Sequence, residues 1–120
     1  MNTLPVERIE RSLGPNLRVV EVKGDRMAPT LRSGADHLIV RPTHEYEGEA
    51  LYALATPFGT IEIFRVQPAA PGMLALLSDN EIYSRRELTK ADFDEEVVGI
   101  VLYQLHRLRS DITPTLMKCA

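Results

Sequence analysis

The chain has 120 residues, 44% of them hydrophobic and 26% charged, which is enough for one modest core and excludes a disordered chain. A formal charge of −3 excludes the basic footprint of a nucleic-acid-binding domain, and a single cysteine, Cys119, excludes an internal disulfide and fits a reducing cytoplasm. No apolar run approaches membrane-spanning length and no signal-peptide core opens the chain, so the expected location is cytoplasmic, away from any membrane.

Pro5 to Leu13 sets Val6, Ile9 and Leu13 at helical spacing, and Gly14-Pro15 stops the run. Residues 1–16 therefore read as an arm or one short helix, too little for a helix-turn-helix module. Leu17 to Val22 is rich in β-branched residues and reads as the first strand. Gly24, Pro29 and Gly34 then break the chain into a turn that can hold side chains beside a sheet. His37 to Arg41 reads as a second strand, closed by Pro42, and Thr43 to Glu49 as a polar turn.

Leu51–Ala55 and Thr60–Val66 flank Thr56-Pro57-Phe58-Gly59, a hairpin signal with its glycine late. Pro68 to Gly72 is a turn and Met73 to Leu77 a further strand. Leu88 to Glu96 reads as a charged connection. Val97 to Tyr103 is the most apolar strand, with both faces expected to be covered. Pro114 argues against a continuous helix in residues 109–120, which read as an extended tail. The fold class is mainly β, about six or seven short strands with hairpins and little helix, in one domain over 17–108.

Two segments carry a resemblance. Gly24-Asp25-Arg26-Met27-Ala28-Pro29-Thr30 resembles the Gly-Asp-Ser-Met-x-Pro-Thr box of the S24 peptidase-like domains found in LexA, phage repressors and UmuD. Ser78-Asp79-Asn80-Glu81-Ile82-Tyr83 resembles that family's Ser-Asp-Asn-Pro-x-Tyr segment, with Glu81 for proline. At Gly34-Ala35-Asp36 the match to the family's Gly-Asp slips by a residue. Membrane-bound signal peptidases carry a similar serine box, but they require an anchor.

The resemblance implies a LexA-like fold and a serine–lysine dyad, and it puts other residues at both dyad positions. Arg26 stands at the nucleophile, and Phe64, within Ile63-Phe64-Arg65-Val66, at the lysine; a one-residue shift puts Arg65 there. Phenylalanine has no titratable group and arginine stays protonated, so neither can serve as the base. Neutralising a buried amine takes a shift of roughly 3–5 pKa units, about 4–7 kcal/mol, a cost with no return once the nucleophile is absent. Phe64 can then pack where an amine stood, and Arg26 can reach solvent or a carboxylate such as Glu62, on the same strand face as Phe64. Met1 to Lys23 also lacks the small-residue pair, Ala-Gly or Cys-Gly, at which the family cleaves itself.

Weaker candidates read as structure. His37 and His44, with Asp36, Glu45 and Glu47 nearby, are read as surface histidines rather than metal ligands, and no cofactor is expected. Ser12, Ser33, Ser78 and Ser84 have no histidine or lysine partner at a recognisable spacing. Arg85-Arg86 and His106-Arg107-Leu108-Arg109 are read as solvated surface.

The expected function is a non-catalytic self-association module. It resembles the C-terminal oligomerisation domain of a phage-type or LexA-type transcriptional repressor, or a stand-alone protein that pairs with such domains. A homodimer is expected through Val98, Ile100, Leu102 and Tyr103, with no direct DNA binding by this chain. The alternatives are a UmuD-like accessory factor of a DNA polymerase, or an S24 peptidase with a relocated active site.

Overall fold

Short apolar runs rich in β-branched and aliphatic residues form the strands, and because successive side chains point to opposite faces, such runs give the sheet two apolar faces. The computed structural model describes residues 16–109. They form β1 (Arg18–Glu21), β2 (Asp36–Pro42), β3 (Ala50–Ala55), β4 (Ile61–Pro68), β5 (Met73–Leu77), β6 (Arg86–Thr89), α1 (Lys90–Glu96) and β7 (Val97–His106). All seven strands lie in one antiparallel sheet, in the order β1-β2-β7-β3-β4-β5-β6. The mainly β expectation is met. The expected N-terminal helix and C-terminal tail lie outside the described residues.

Each face of the sheet carries its own core. Tyr52, Leu54, Phe64, Val66, Leu74, Leu76, Phe93, Val97 and Ile100 cluster on one face. Their neighbours along the same strands, Ala53, Ile63 and Val101, turn to the other face and meet Val22, Met27, Leu31, Leu38 and Val40. The first face is covered at the β5–β6 end by α1, whose Phe93 is fully buried against Tyr52 in an edge-on pair at 5.3 Å. The second face is covered by the turn between β1 and β2.

Three expectations are corrected. The segment from Leu88 to Glu96 is not a plain charged connection: it contains the end of β6 and all of α1. Thr89 caps the helix, its hydroxyl accepting from the Asp92 N–H at 3.1 Å. β7 is not covered on both faces, since Val98 and Tyr103 are 39% and 52% exposed. His37, in the second strand as expected, is not a surface histidine but is 5% exposed, while His44 is exposed.

The pairing register places Val19, Ile39 and Tyr103 side by side across β1, β2 and β7. Glu21, His37 and Leu105 form the next row on the same face. α1 makes its main contacts with β5 and β6, towards the other end of the sheet from these rows. Gly99 is buried where β7 crosses β2: an added Cβ there would run into Val40 Cγ1 and stand 2.9 Å from the Arg41 carbonyl oxygen.

Candidate functional site

The turn after β1 is held at both ends by backbone. Val22 N–H donates to the Asp36 carbonyl at 3.0 Å, and Gly34 N–H to the Val22 carbonyl at 3.3 Å. Gly24, at φ +76°, turns the chain out of the strand in a conformation side-chain-bearing residues avoid. Ala28 N–H then closes on Asp25 and Leu31 N–H on Met27, and the Ala28–Pro29 peptide is cis. Met27 and Leu31 are buried beneath the turn. With its neighbour pointed inward, Arg26 is left facing across the sheet towards β4.

There it meets Phe64. The Arg26 Cζ lies 5.0 Å from the Phe64 ring centroid and 4.4 Å from that of Tyr83. One Nη donates to Ser78 Oγ at 3.2 Å and the other stands 3.5 Å from Glu62 Oε2. Glu62 and Phe64 are two residues apart on β4 and share a face, so strand periodicity sets both against the same guanidinium. Arg86 also lies over the Phe64 ring, at 5.8 Å.

The segment from Ser78 to Tyr83 is stitched to the turn residue by residue. Asn80 N–H donates to the Arg26 carbonyl and Asn80 Nδ2 to the Asp25 carbonyl, each at 3.0 Å. Asp79 N–H points at Met27 Sδ at 3.5 Å. Thr30 Oγ1 donates to Asp79 Oδ2 at 2.6 Å, and Arg65 grips the same carboxylate with two bonds, at 2.9 and 2.8 Å. The Arg65 bonds foremost, with the Thr30 bond, outweigh burial and hold Asp79 below the usual carboxylate range. The Tyr83 hydroxyl donates to Asp25 Oδ1, and that bond, chiefly, pushes the phenol above its ordinary value.

Beside this cluster runs a groove of about 210 Å³. Residues 20–27 and Leu31 form one wall, and Ile61, Glu62, Ile63 and Tyr83 the other. The wall along β1 is, among the described residues, an open edge of the sheet. Since Val22 bonds towards β2, strand alternation turns the backbone groups of Glu21 and Lys23 to that open side.

A second polar cluster fixes the far end of the same turn. Asp36 is 1% exposed and accepts from Arg32 N–H at 2.7 Å, Gln104 Nε2 at 3.1 Å and His106 Nδ1 at 2.5 Å. Burial pushes its carboxyl up, but the His106 and Arg32 bonds, with the imidazole's charge and Gln104, together hold it below the ordinary value. Gln104 also donates to the Thr30 carbonyl at 3.2 Å, and Arg107 N–H to the Ala35 carbonyl at 3.0 Å. Among the described residues no group of three or more His, Cys, Asp or Glu side chains could hold a metal ion.

The two segments singled out in the sequence thus form one site, through Asp25, Arg26, Met27, Thr30, Ser78, Asp79 and Asn80. A family model for peptidase S24-like domains matches residues 2–102. The chain belongs to the peptidase S24-like family. No curated protein matches it. The S24-like family includes peptidases, and the segment that resembles its sequence box is the turn that carries Arg26. No helix among the described residues is long and apolar enough to cross a membrane.

Sequence reasoning anticipated Glu62 as a partner of Arg26 and missed Tyr83 as its second ring. It missed the Arg65–Asp79 and Asp36–His106 pairs, which join residues far apart in the chain and leave no local spacing to read. Of the four expected dimer residues, Val98 and Tyr103 are exposed and Leu102 is half-buried. Ile100 is 8% exposed and belongs to the core, so its side chain has no surface to offer.

Proposed function

We propose that this S24-like chain is a non-catalytic self-association module, of the kind that pairs transcriptional repressors, and that Arg26 and Phe64 stand where a peptidase of the family keeps its dyad. The observation that carries this reading is the 5.0 Å approach of Arg26 to Phe64. The two positions picked out by family resemblance on separate segments meet in space, as a nucleophile and its base would have to. Neither side chain can perform either role: the arginine stays protonated and the phenyl ring accepts no proton. Ser78, whose hydroxyl lies beside that arginine, accepts its bond at 3.2 Å.

Self-association is supported by the row of Val19, Ile39 and Tyr103, which lies towards the end of the sheet opposite β5 and β6, where α1 packs, and in which Tyr103 is half-exposed. A two-fold pairing is the commonest way to bury such a patch, and a dimer of this kind would let two DNA-binding partners engage two half-sites. The chain's own negative charge supports partner-borne rather than direct DNA contact.

Two measurements test the reading. The chain is expected to leave an Ala-Gly peptide uncut and to take no label from a serine-directed phosphonate; a phosphonate adduct mapped to any serine would overturn the non-catalytic assignment. Light scattering at high micromolar concentration is expected to give twice the chain mass, and a monomer mass would overturn self-association.

A further inference from the structure

The groups around Arg26 are those that recognise a guanidinium from outside as well as from within. Two aromatic rings lie within 5.0 and 4.4 Å of its Cζ, a carboxylate stands 3.5 Å from one Nη, and a hydroxyl accepts from the other at 3.2 Å. Rings satisfy the weakly hydrated faces of a guanidinium, and a carboxylate with a hydroxyl satisfies its edge. A lysine ammonium, compact and strongly hydrated, fits this set less well.

The cage belongs to the groove rather than to the core. Arg26 lines one wall of the groove and Glu62 and Tyr83 the other, and the Arg26 side chain keeps 25% of its surface exposed. The charged residues of the two walls are Glu21, Lys23, Asp25, Arg26 and Glu62. With Arg26 in place two cations face three carboxylates; with its side chain withdrawn, one cation faces three. Phe64 is 1% exposed and lies under the guanidinium, so withdrawal removes the nearer of the two guanidiniums over its ring, Arg86 standing at 5.8 Å.

We infer that Phe64, Tyr83, Glu62 and Ser78 form a guanidinium-binding cage at the groove, filled in cis by Arg26 and open in trans to an arginine side chain of a partner segment when Arg26 swings out. Arg26 is then the cage's resident occupant and the competitor of any incoming arginine. The cage does not rest on the non-catalytic reading, because it follows from the side chains present and not from what they replaced. Failure of the phosphonate test would leave it standing.

The test is the affinity of N-acetylarginine methylamide, measured by chemical-shift titration of the folded chain and of Arg26→Ala and Arg26→Met, with the lysine analogue as control. Removing the occupant is expected to tighten binding of the arginine analogue by about tenfold over wild type and to leave the lysine analogue changed by less than about twofold. Adding Phe64→Leu to Arg26→Met is expected to abolish the gain. No gain in a folded Arg26 variant, or an equal gain for both analogues, overturns the cage. Should neither variant fold, the wild-type Arg26 Nε–H signal decides. The cage requires it to be shifted by the two rings and to move towards the free position as the arginine analogue is added. A signal at the free position from the start, or one unmoved by excess analogue, overturns the inference.

Discussion

Phe64 joins the two halves of the site. Its edge is packed in the core with Tyr52, Leu54 and Val66, while its ring carries the Arg26 guanidinium. Truncation therefore costs both a cavity and a shelf, and Phe64→Ala is expected to lower unfolding free energy by about 3–5 kcal/mol in urea denaturation. Asp36 poses a different question at this scale, because its support is electrostatic. Its folded-state pKa is depressed, so the unfolded chain binds protons more readily as pH falls. The stabilisation is full above the unfolded carboxyl value of 3.8 and is lost as pH falls through the lower folded value. Asp36→Asn should thus be less stable than wild type at pH 6, with the gap closing below about pH 4 when both are titrated in urea. A gap that holds constant down to pH 3 would refute the assignment.

Among the elements, the hairpin of β3 and β4 was the most legible. A continuous apolar run before Thr56-Pro57-Phe58-Gly59 and a strand-forming run after it specify two strands and a tight connection, and Thr56 N–H bonds the Thr60 carbonyl at 2.8 Å. β6 and α1 were hidden because Arg85 to Glu96 exposes nearly everything it has. Only Leu88 and Phe93 are apolar enough to show a period, and two residues define none. The legible sign was Thr89-x-x-Asp92, an N-cap pattern, and Thr89 does cap α1. Thr89→Ala is expected to cost roughly 1 kcal/mol, read as a lowered melting temperature, with Thr89→Ser recovering most of it. Gly99 marks the opposite case, a strand glycine that leaves no room. Gly99→Ala would press Val40 and the Arg41 carbonyl and is expected to destabilise by about 1–3 kcal/mol, with amide shifts concentrated in β2 and β7. The sequence box was legible because it is local, whereas the pairs that hold it, Arg65 with Asp79 and His106 with Asp36, needed the sheet order to be known.

At the scale of the whole molecule, β7 is adjacent to everything that matters. One of its faces gives Tyr103 to the row proposed for self-association, and the other gives Gln104 and His106 to Thr30 and Asp36 of the turn. Tyr103 is half-exposed, so Tyr103→Asp is expected to shift sedimentation towards monomer while leaving the urea midpoint of dilute protein nearly unchanged. A variant that remains dimeric would move the interface elsewhere. The position of β7 in the sheet also bears on how the protein comes into being. It is the last of the seven strands to leave the ribosome, yet it lies between β2 and β3. Until it arrives, the nascent chain holds two separate ribbons, β1-β2 and β3-β4-β5-β6, each with a raw edge where β7 will insert. Such edges are templates for wrong partners, and a growing polypeptide cannot remove them by folding early. Synthesis halted near Glu96 should therefore yield a species that aggregates or recruits chaperones, and the protein's birth is necessarily completed after its last strand is released.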